Sequence, residues 1–245
     1  MRPHLLLDLS APMMSFGAEQ VGERGPTADL PGKSFVTGML ANALGWNRVD
    51  GEAHDRLQAR IVMGAAALSG GRVVTDFQTA ELAQDDAGWT TRGIPEGRNT
   101  TSSFRLDVDE FRRTGRQTKV MTHRRWRDSL ADAHVIVALR LEDDDETPTL
   151  AEVEAALRKP ARPLFLGRKP FIPMTRVLLG AVEARTVRGA LWEALVDMTD
   201  EPGRVTAQWD VAEGGEGVVN RRNDLKSWAG GLHSGERTVL EGALA

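Results

Sequence analysis

Lys33 and Ser34 close a turn-rich loop, Arg24-Gly25-Pro26-Thr27-Ala28-Asp29-Leu30-Pro31-Gly32, and open an apolar periodic segment. Basic side chains and short hydroxyls at the start of a helix suit an anion. Unpaired backbone N–H groups and the positive end of the helix dipole favour phosphate there. Phe35, Val36, Met39, Leu40, Ala43 and Leu44 recur at the spacing of one buried stripe, with Ser34 placed to cap the helix and Gly45 to stop it. Gly32-Lys33-Ser34 also spells the close of a P-loop, whose first glycine lets the backbone wrap phosphates. That position is Thr27 here, Asp29 sets a negative charge inside the supposed cradle, and Val21–Gly25 is too polar for the buried strand a P-loop follows. The motif therefore argues against a nucleotide triphosphatase. An ordinary capped core helix accounts for most of these residues whatever the function.

A second group of residues suits a longer anion. Between Arg92 and Arg127 the basic residues are Arg92, Arg98, Arg105, Arg112, Arg113, Arg116, Lys119, Arg124, Arg125 and Arg127, against the acids Glu96, Asp107, Asp109 and Glu110. Ten against four leave this segment at +6, so the rest of a chain of net charge -4 carries -10. The segment has few large apolar residues, glycines at 93, 97 and 115, and the run Thr100-Thr101-Ser102-Ser103. It reads either as a solvated charged loop or as an arm whose basic and hydroxyl donors hold a sugar-phosphate backbone without reading its sequence. An acidic remainder discourages nonspecific adhesion elsewhere.

Other constellations carry less. Glu142-Asp143-Asp144-Asp145-Glu146 is most simply a solvated loop, because metal-binding carboxylates converge from separate elements. His4, His54, His123, His134 and His233 lack zinc-ligand spacing on a helix, so no metal is expected. Gly214-Gly215-Glu216-Gly217 with Asn220-Arg221-Arg222-Asn223 lacks the strand-to-helix setting of a dinucleotide site and reads as a flexible loop. The chain has no cysteine, which removes disulfides, thiolate metal sites and a cysteine nucleophile, and fits a reducing compartment. At 245 residues and 41% hydrophobic content it can bury one large core or two small ones. Its first leucines, broken by Asp8, are too short a run for a signal peptide or membrane span, so a cytoplasmic protein is expected.

The elements that must position these groups follow from periodicity. His4–Leu9 reads as a strand, Ser34–Leu44 as a helix, Arg60–Leu68 as a second strand with Arg72–Gln78 as its hairpin partner. Ala133–Leu141 is a further strand, Leu150–Leu157 a helix and Pro163–Leu166 a short strand. This is the split βαβ order of an α+β ferredoxin-like fold with the basic arm inserted in its middle. Such a sheet carries helices on one face and offers the other to RNA, as RNA-recognition modules do.

Several words stand in a fixed order: Pro12-Met13-Met14-Ser15-Phe16-Gly17, Arg24-Gly25-Pro26-Thr27, Pro31-Gly32-Lys33-Ser34 with Ala43-Leu44-Gly45, Asp76-Phe77-Gln78-Thr79, Trp126-Arg127-Asp128-Ser129-Leu130-Ala131-Asp132-Ala133, and Pro163-Leu164-Phe165-Leu166-Gly167-Arg168-Lys169. Over about residues 4 to 180 this set resembles the CasD family, the Cas-five-type subunits of the type I-E CRISPR surveillance complex, Cascade. Gly32 stands where the family usually has Ser or Thr, His123-Arg124-Arg125 precedes the Trp126 word, and the chain beyond Gly180 matches loosely.

The resemblance implies a single RNA-binding domain. Residues 1–79 and 123–180 would form a ferredoxin-like, RNA-recognition-motif-like core, 80–122 an inserted basic β-hairpin thumb, and 181–245 an irregular C-terminal extension. It implies a noncatalytic subunit without cofactor that grips the 5′ handle of the CRISPR RNA and caps the backbone filament in antiviral defence. Its partners would be that RNA, the backbone filament protein, the large subunit and, through the complex, target DNA, with no membrane. Arg24, Thr27, Lys33 and Ser34 would face handle phosphates, and Arg98, Arg105, Arg112, Arg113, Arg116 and Lys119 would lie on the thumb. Arg124, Arg125 and Trp126 would lie where the thumb returns, with Arg125 or Arg127 contacting phosphate and Trp126 stacking a base or sitting in the core, and Gly167 would turn Arg168 and Lys169 toward the RNA or into solvent. Some relatives in other subtypes cut RNA with tyrosine, lysine and histidine. This chain has no tyrosine, while Lys119 and His123, four apart, could serve acid–base cleavage in which the RNA 2′-OH attacks the adjacent phosphate. A metal-independent endoribonuclease for CRISPR repeat RNA, or a phosphate-ester hydrolase at the Lys33 loop, therefore stands as the alternative.

Overall fold

The computed structural model describes residues 1–20, 22–82, 90–91, 94–95, 104–106, 113, 119–143, 145–233 and 235–244, with backbone only at 81–82, 90–91, 94–95, 104–106, 119–123, 203 and 233. The chain divides into one unit of Met1–Glu19, Pro26–Val74 and Asp128–Ala245, and another of Gln20–Gly25 and Thr75–Arg127.

The first unit is built on a seven-stranded sheet in the order Leu178–Ala184, Arg2–Ser10, His134–Leu141, Ile61–Ser69, Thr206–Asp210, Arg237–Ala243, Val218–Arg222, every neighbouring pair antiparallel. Along His134–Leu141, Val135, Val137, Leu139 and Leu141 enter one core and Ile136 and Ala138 the other. Burial on both faces is why this stretch is a nearly unbroken apolar run. On one side Leu5, Leu7 and Leu9 pack with Met39, Leu40, Leu57 and Val153, so the helices Lys33–Ala43, Gly51–Arg60 and Leu150–Arg158 form a layer there. On the other side Leu6, Ile136 and Ala138 pack with Ala190, Leu191 and Leu195 of the helix Val187–Val196 and with Trp209. Each buried leucine or isoleucine contributes about 1.5–3 kcal/mol relative to exposure. The mixed α+β class is as expected, but the second sheet face is not open to a ligand: it is a core.

Five further differences follow. Pro163–Leu166 is not a strand. It leads into a turn in which the Leu166 N–H donates to the Phe171 carbonyl at 2.8 Å, and the strand beside Arg2–Ser10 is Leu178–Ala184. Arg72–Leu82 does not pair with Ile61–Ser69, because both edges of that strand are taken by His134–Leu141 and Thr206–Asp210; it pairs with Lys119–Ala131 instead. Residues 181–245 are not irregular: they supply the covering helix and three strands of the main sheet. The Val218–Arg222 strand replaces the expected flexible loop over Asn220–Arg222. Finally, Ser34 is not the cap of the first helix. Gly32 holds that position without a side-chain bond, while Gly45, at φ 81°, does sit where the chain leaves the helix.

The acidic loop is tied down by a residue outside it. Arg60 is buried and donates to the carbonyls of Glu142 at 2.9 Å, Pro148 at 3.2 Å, and Asp143 and Glu146 at 2.8 Å each. The side chains of Glu142, Asp143 and Asp145 are exposed, as a solvated loop requires.

In the second unit the strand Lys119–Ala131 is the common partner. Phe104–Leu106 runs antiparallel to it and Arg24–Gly25 parallel to it, and Thr90–Thr91 pairs with Ile94–Pro95. Most of the expected thumb, 80–122, lies outside the described residues.

Candidate nucleic-acid interface

Arg24 pairs with Trp126 and Gly25 with Arg127, and the Trp126 N–H donates to the Glu23 carbonyl at 3.0 Å. Side chains alternate along a strand, so Arg124 and Trp126 project from one face and Arg125 and Arg127 from the other, with Arg24 beside Trp126. Arg24 and Arg127 are exposed; Arg124, Arg125 and Trp126 are half-buried. Trp126 belongs to neither hydrophobic core of the first unit. Its ring lies 5.0 Å from that of Phe77 at 39° between planes, and Phe77 is 52% exposed. Sequence alone leaves Trp126 between core and surface. Its place is a surface aromatic pair, and Phe77, named above only as part of a motif, is the other half of it. The signal that marks Phe77 is an aromatic among polar residues on a strand whose residues 72–80 are all exposed.

Thr27, Lys33 and Ser34 belong to the first unit, and the partners of Thr27 and Lys33 lie within the protein. The Thr27 hydroxyl accepts the Phe16 N–H at 3.1 Å and donates to the Ala28 carbonyl at 3.2 Å. The anion at the start of the first helix is Asp224. Its carboxylate accepts the Lys33 N–H at 3.0 Å, and its carbonyl accepts the Ser34 N–H at 2.9 Å. Asp224 also receives Arg237 through Nε at 2.9 Å and Nη2 at 2.8 Å, while Arg237 Nη1 reaches Asp210 at 2.5 Å. Lys33 Nζ stands 3.6 Å from Asp210, its side chain 13% exposed. Burial lowers the Lys33 pKa despite Asp210; burial pulls Arg237 the same way, but hydrogen bonds and charge from Asp224 and Asp210 outweigh it and raise that group. A Cβ on Gly32 would stand 2.6 Å from the Asp224 Cβ, which accounts for glycine at this position.

Gly167 has φ 97° and lies against Ser15, so that a Cβ would collide with the Ser15 carbonyl oxygen. The Ser15 N–H donates to the Leu166 carbonyl at 3.0 Å. Arg168 donates to the Asp128 carbonyl at 3.2 Å and covers the Phe171 ring at 5.5 Å, whereas Lys169 is exposed. The turn thus holds Arg168 against protein and presents Lys169 to solvent.

Of the arm residues, Arg113 is exposed. Arg98, Arg112 and Arg116 lie outside the described residues, as do the side chains of Arg105, Lys119 and His123. Among the described residues no three His, Asp or Glu side chains converge as a metal set, and no helix is long and apolar enough to cross a membrane.

These features define a mixed α+β protein, with one unit built on an antiparallel sheet covered by helices on both faces and a second unit that carries an arginine-flanked aromatic pair. The model of the family described as CRISPR-associated protein (Cas_Cas5) matches residues 4–240, and the chain belongs to that family. It is 28% identical over 192 residues to the CRISPR system Cascade subunit CasD of Escherichia coli (strain K12), covering 78% of this chain and 76% of that one. Among solved structures, a chain of a CRISPR RNA-guided surveillance complex aligns with a TM-score of 0.66 at 20% identity, covering 98% of this chain and 89% of that chain. A Cas protein crystal structure aligns at 0.56 and 23% identity, covering 98% and 94%. Both likenesses concern the fold. The family match runs well past Gly180, into the Arg237–Ala243 strand of the main sheet.

Proposed function

We propose that this chain is a noncatalytic RNA-binding subunit of a type I-E Cascade, gripping the 5′ handle of the CRISPR RNA and capping the backbone filament in the cytoplasm. The name of its Escherichia coli relative, a Cascade subunit, supports the assembly. The observation that carries the RNA reading is the pairing of Arg24 with Trp126, which gathers Arg24, Arg124, Arg125 and Arg127 around one strand segment. Guanidinium groups there suit phosphates, with Lys169 and the arm arginines as further contacts. Lys33 and Thr27 serve the fold instead.

A ferredoxin-like core is supported by strand order. Taken in chain order, Arg2–Ser10, Ile61–Ser69, His134–Leu141 and Leu178–Ala184 lie fourth-first-third-second across the sheet. The basic arm between the second and third of these is where a thumb belongs. With its second face covered, such a core would bind RNA elsewhere than on that face.

The test is co-expression with the neighbouring genes, purification through this chain, and sequencing of the RNA with mass spectrometry of the proteins. A uniform repeat-derived 5′ end in a multi-subunit filament is expected, unchanged by His123→Ala. Recovery of the chain alone, without RNA, would remove the reading; loss of RNA cleavage in His123→Ala with binding retained would replace it by the endoribonuclease.

A further inference from the structure

We infer that Phe77 and Trp126 form a stacking site for one unpaired nucleobase of the bound RNA, with the base lying on the outward face of Phe77. The inference rests on the RNA-binding reading and assigns it a specific contact. Phe77 leaves 52% of its surface in water on a strand segment whose residues 72–80 are all exposed, so packing within the fold does not account for a phenylalanine there. Its other side is held by Trp126, with ring centroids 5.0 Å apart and planes 39° from each other. The backbone of the tryptophan is fixed, since its main-chain N–H donates to the Glu23 carbonyl and its strand is paired with Arg24–Gly25. The exposed ring is thus set in place before a ligand arrives, which lowers the ordering cost of binding.

The surroundings select the ligand. Arg24 stands beside Trp126 across the strand pair, and Arg124 precedes it by two residues on the same face. An aromatic surface flanked by guanidinium groups fits a chain that alternates planar bases with phosphates. It fits an aliphatic protein surface poorly. Thr75 and Thr79 alternate onto the Phe77 side of their strand, while Asp76 and Gln78 project from the other and bond to each other at 2.6 Å, so the nearest carboxylate on that strand is turned away from the ring. Stacking tolerates any base, and the site would hold a nucleotide in place without reading it.

The full chain is titrated with a short single-stranded oligoadenylate RNA, and with the same RNA in which the riboses carry no base. For wild type, loss of the bases is expected to weaken binding about tenfold. Phe77→Leu should weaken binding to the intact RNA by a similar factor and bind both RNAs alike, while Phe77→Trp should keep the wild-type preference. Because Phe77 is exposed, thermal unfolding of Phe77→Leu should match wild type, separating lost stacking from lost folding. If wild type binds RNA and Phe77→Leu retains both its affinity and its preference for intact RNA, the stacking site is wrong and the RNA-binding reading stands. If wild type binds neither RNA, both fall. A Phe77→Leu variant that instead loses a Cascade protein while keeping RNA affinity would make the ring pair a protein contact.

Discussion

Asp224 supplies from within the protein the negative charge that the composition of the Arg24–Ser34 loop asks of a ligand. Loop sequence specifies an anion but not its source, and the source here is 191 positions further along the chain. Arg237 is the hub, bridging Asp224 and Asp210 with its side chain 8% exposed. Replacing Arg237 by Met should leave two half-buried carboxylates without their shared cation and cost up to about 3 kcal/mol, read from the denaturant midpoint. Lys33→Met should cost less, because Asp210 keeps Arg237 and the Met63 N–H at 3.2 Å. That variant should also bind RNA as tightly as wild type. Reduced RNA affinity with unaltered stability would return Lys33 to the interface.

At the scale of elements, strongly apolar segments were legible and the rest was not. Ala133–Leu141 declares its place through unbroken apolar residues, and Leu150–Arg158 through periodicity and the Thr149–Glu152 capping box. The helix Gly51–Arg60 escaped because its buried positions include Gln58 and Arg60, polar types whose partners lie far away in sequence. The helix Val187–Val196 carried a readable signal, Val187, Ala190, Leu191, Ala194 and Leu195 after a Thr186 cap; what sequence could not say was that it lies on the sheet face expected to meet RNA. The candidate interface divided similarly. The Trp126 word was visible, but the parallel pairing that sets Arg24 beside it joins positions about a hundred residues apart. Covering of the second sheet face is testable at this scale. Leu191 is fully buried and Trp192, next to it, is 38% exposed. Leu191→Ala should cost about 2–5 kcal/mol in chemical denaturation, as expected for a cavity in a packed core. Trp192→Ala should cost far less, and equal small losses would mean that the helix does not close that face.

Over the whole molecule, charge is divided unevenly, and the division constrains how a protein of net charge -4 can hold RNA. Residues 92–127 carry +6 and the remainder -10, so long-range attraction is concentrated in that segment while the rest of the chain is on balance repulsive to a polyanion. Binding of this kind releases counterions, and the logarithm of the binding constant falls with the logarithm of salt by about 0.7 for each single-strand phosphate neutralised. Arg112, Arg113 and Arg116 fall in the arm, where Arg113 is exposed and the other two lie outside the described residues. Replacing all three by Ala should weaken retention of RNA at low salt and reduce the slope by about 2, at roughly 0.7 for each phosphate that goes unneutralised. The aromatic pair supplies the contrasting measurement. Removing the Phe77 ring alters no charge, so Phe77→Leu should shift the whole salt plot downward at unchanged slope. An unaltered slope in the arginine variant would take the arm out of the electrostatic contact, and the attraction would then rest on Arg24, Arg124, Arg125 and Arg127 around the strand that carries Trp126.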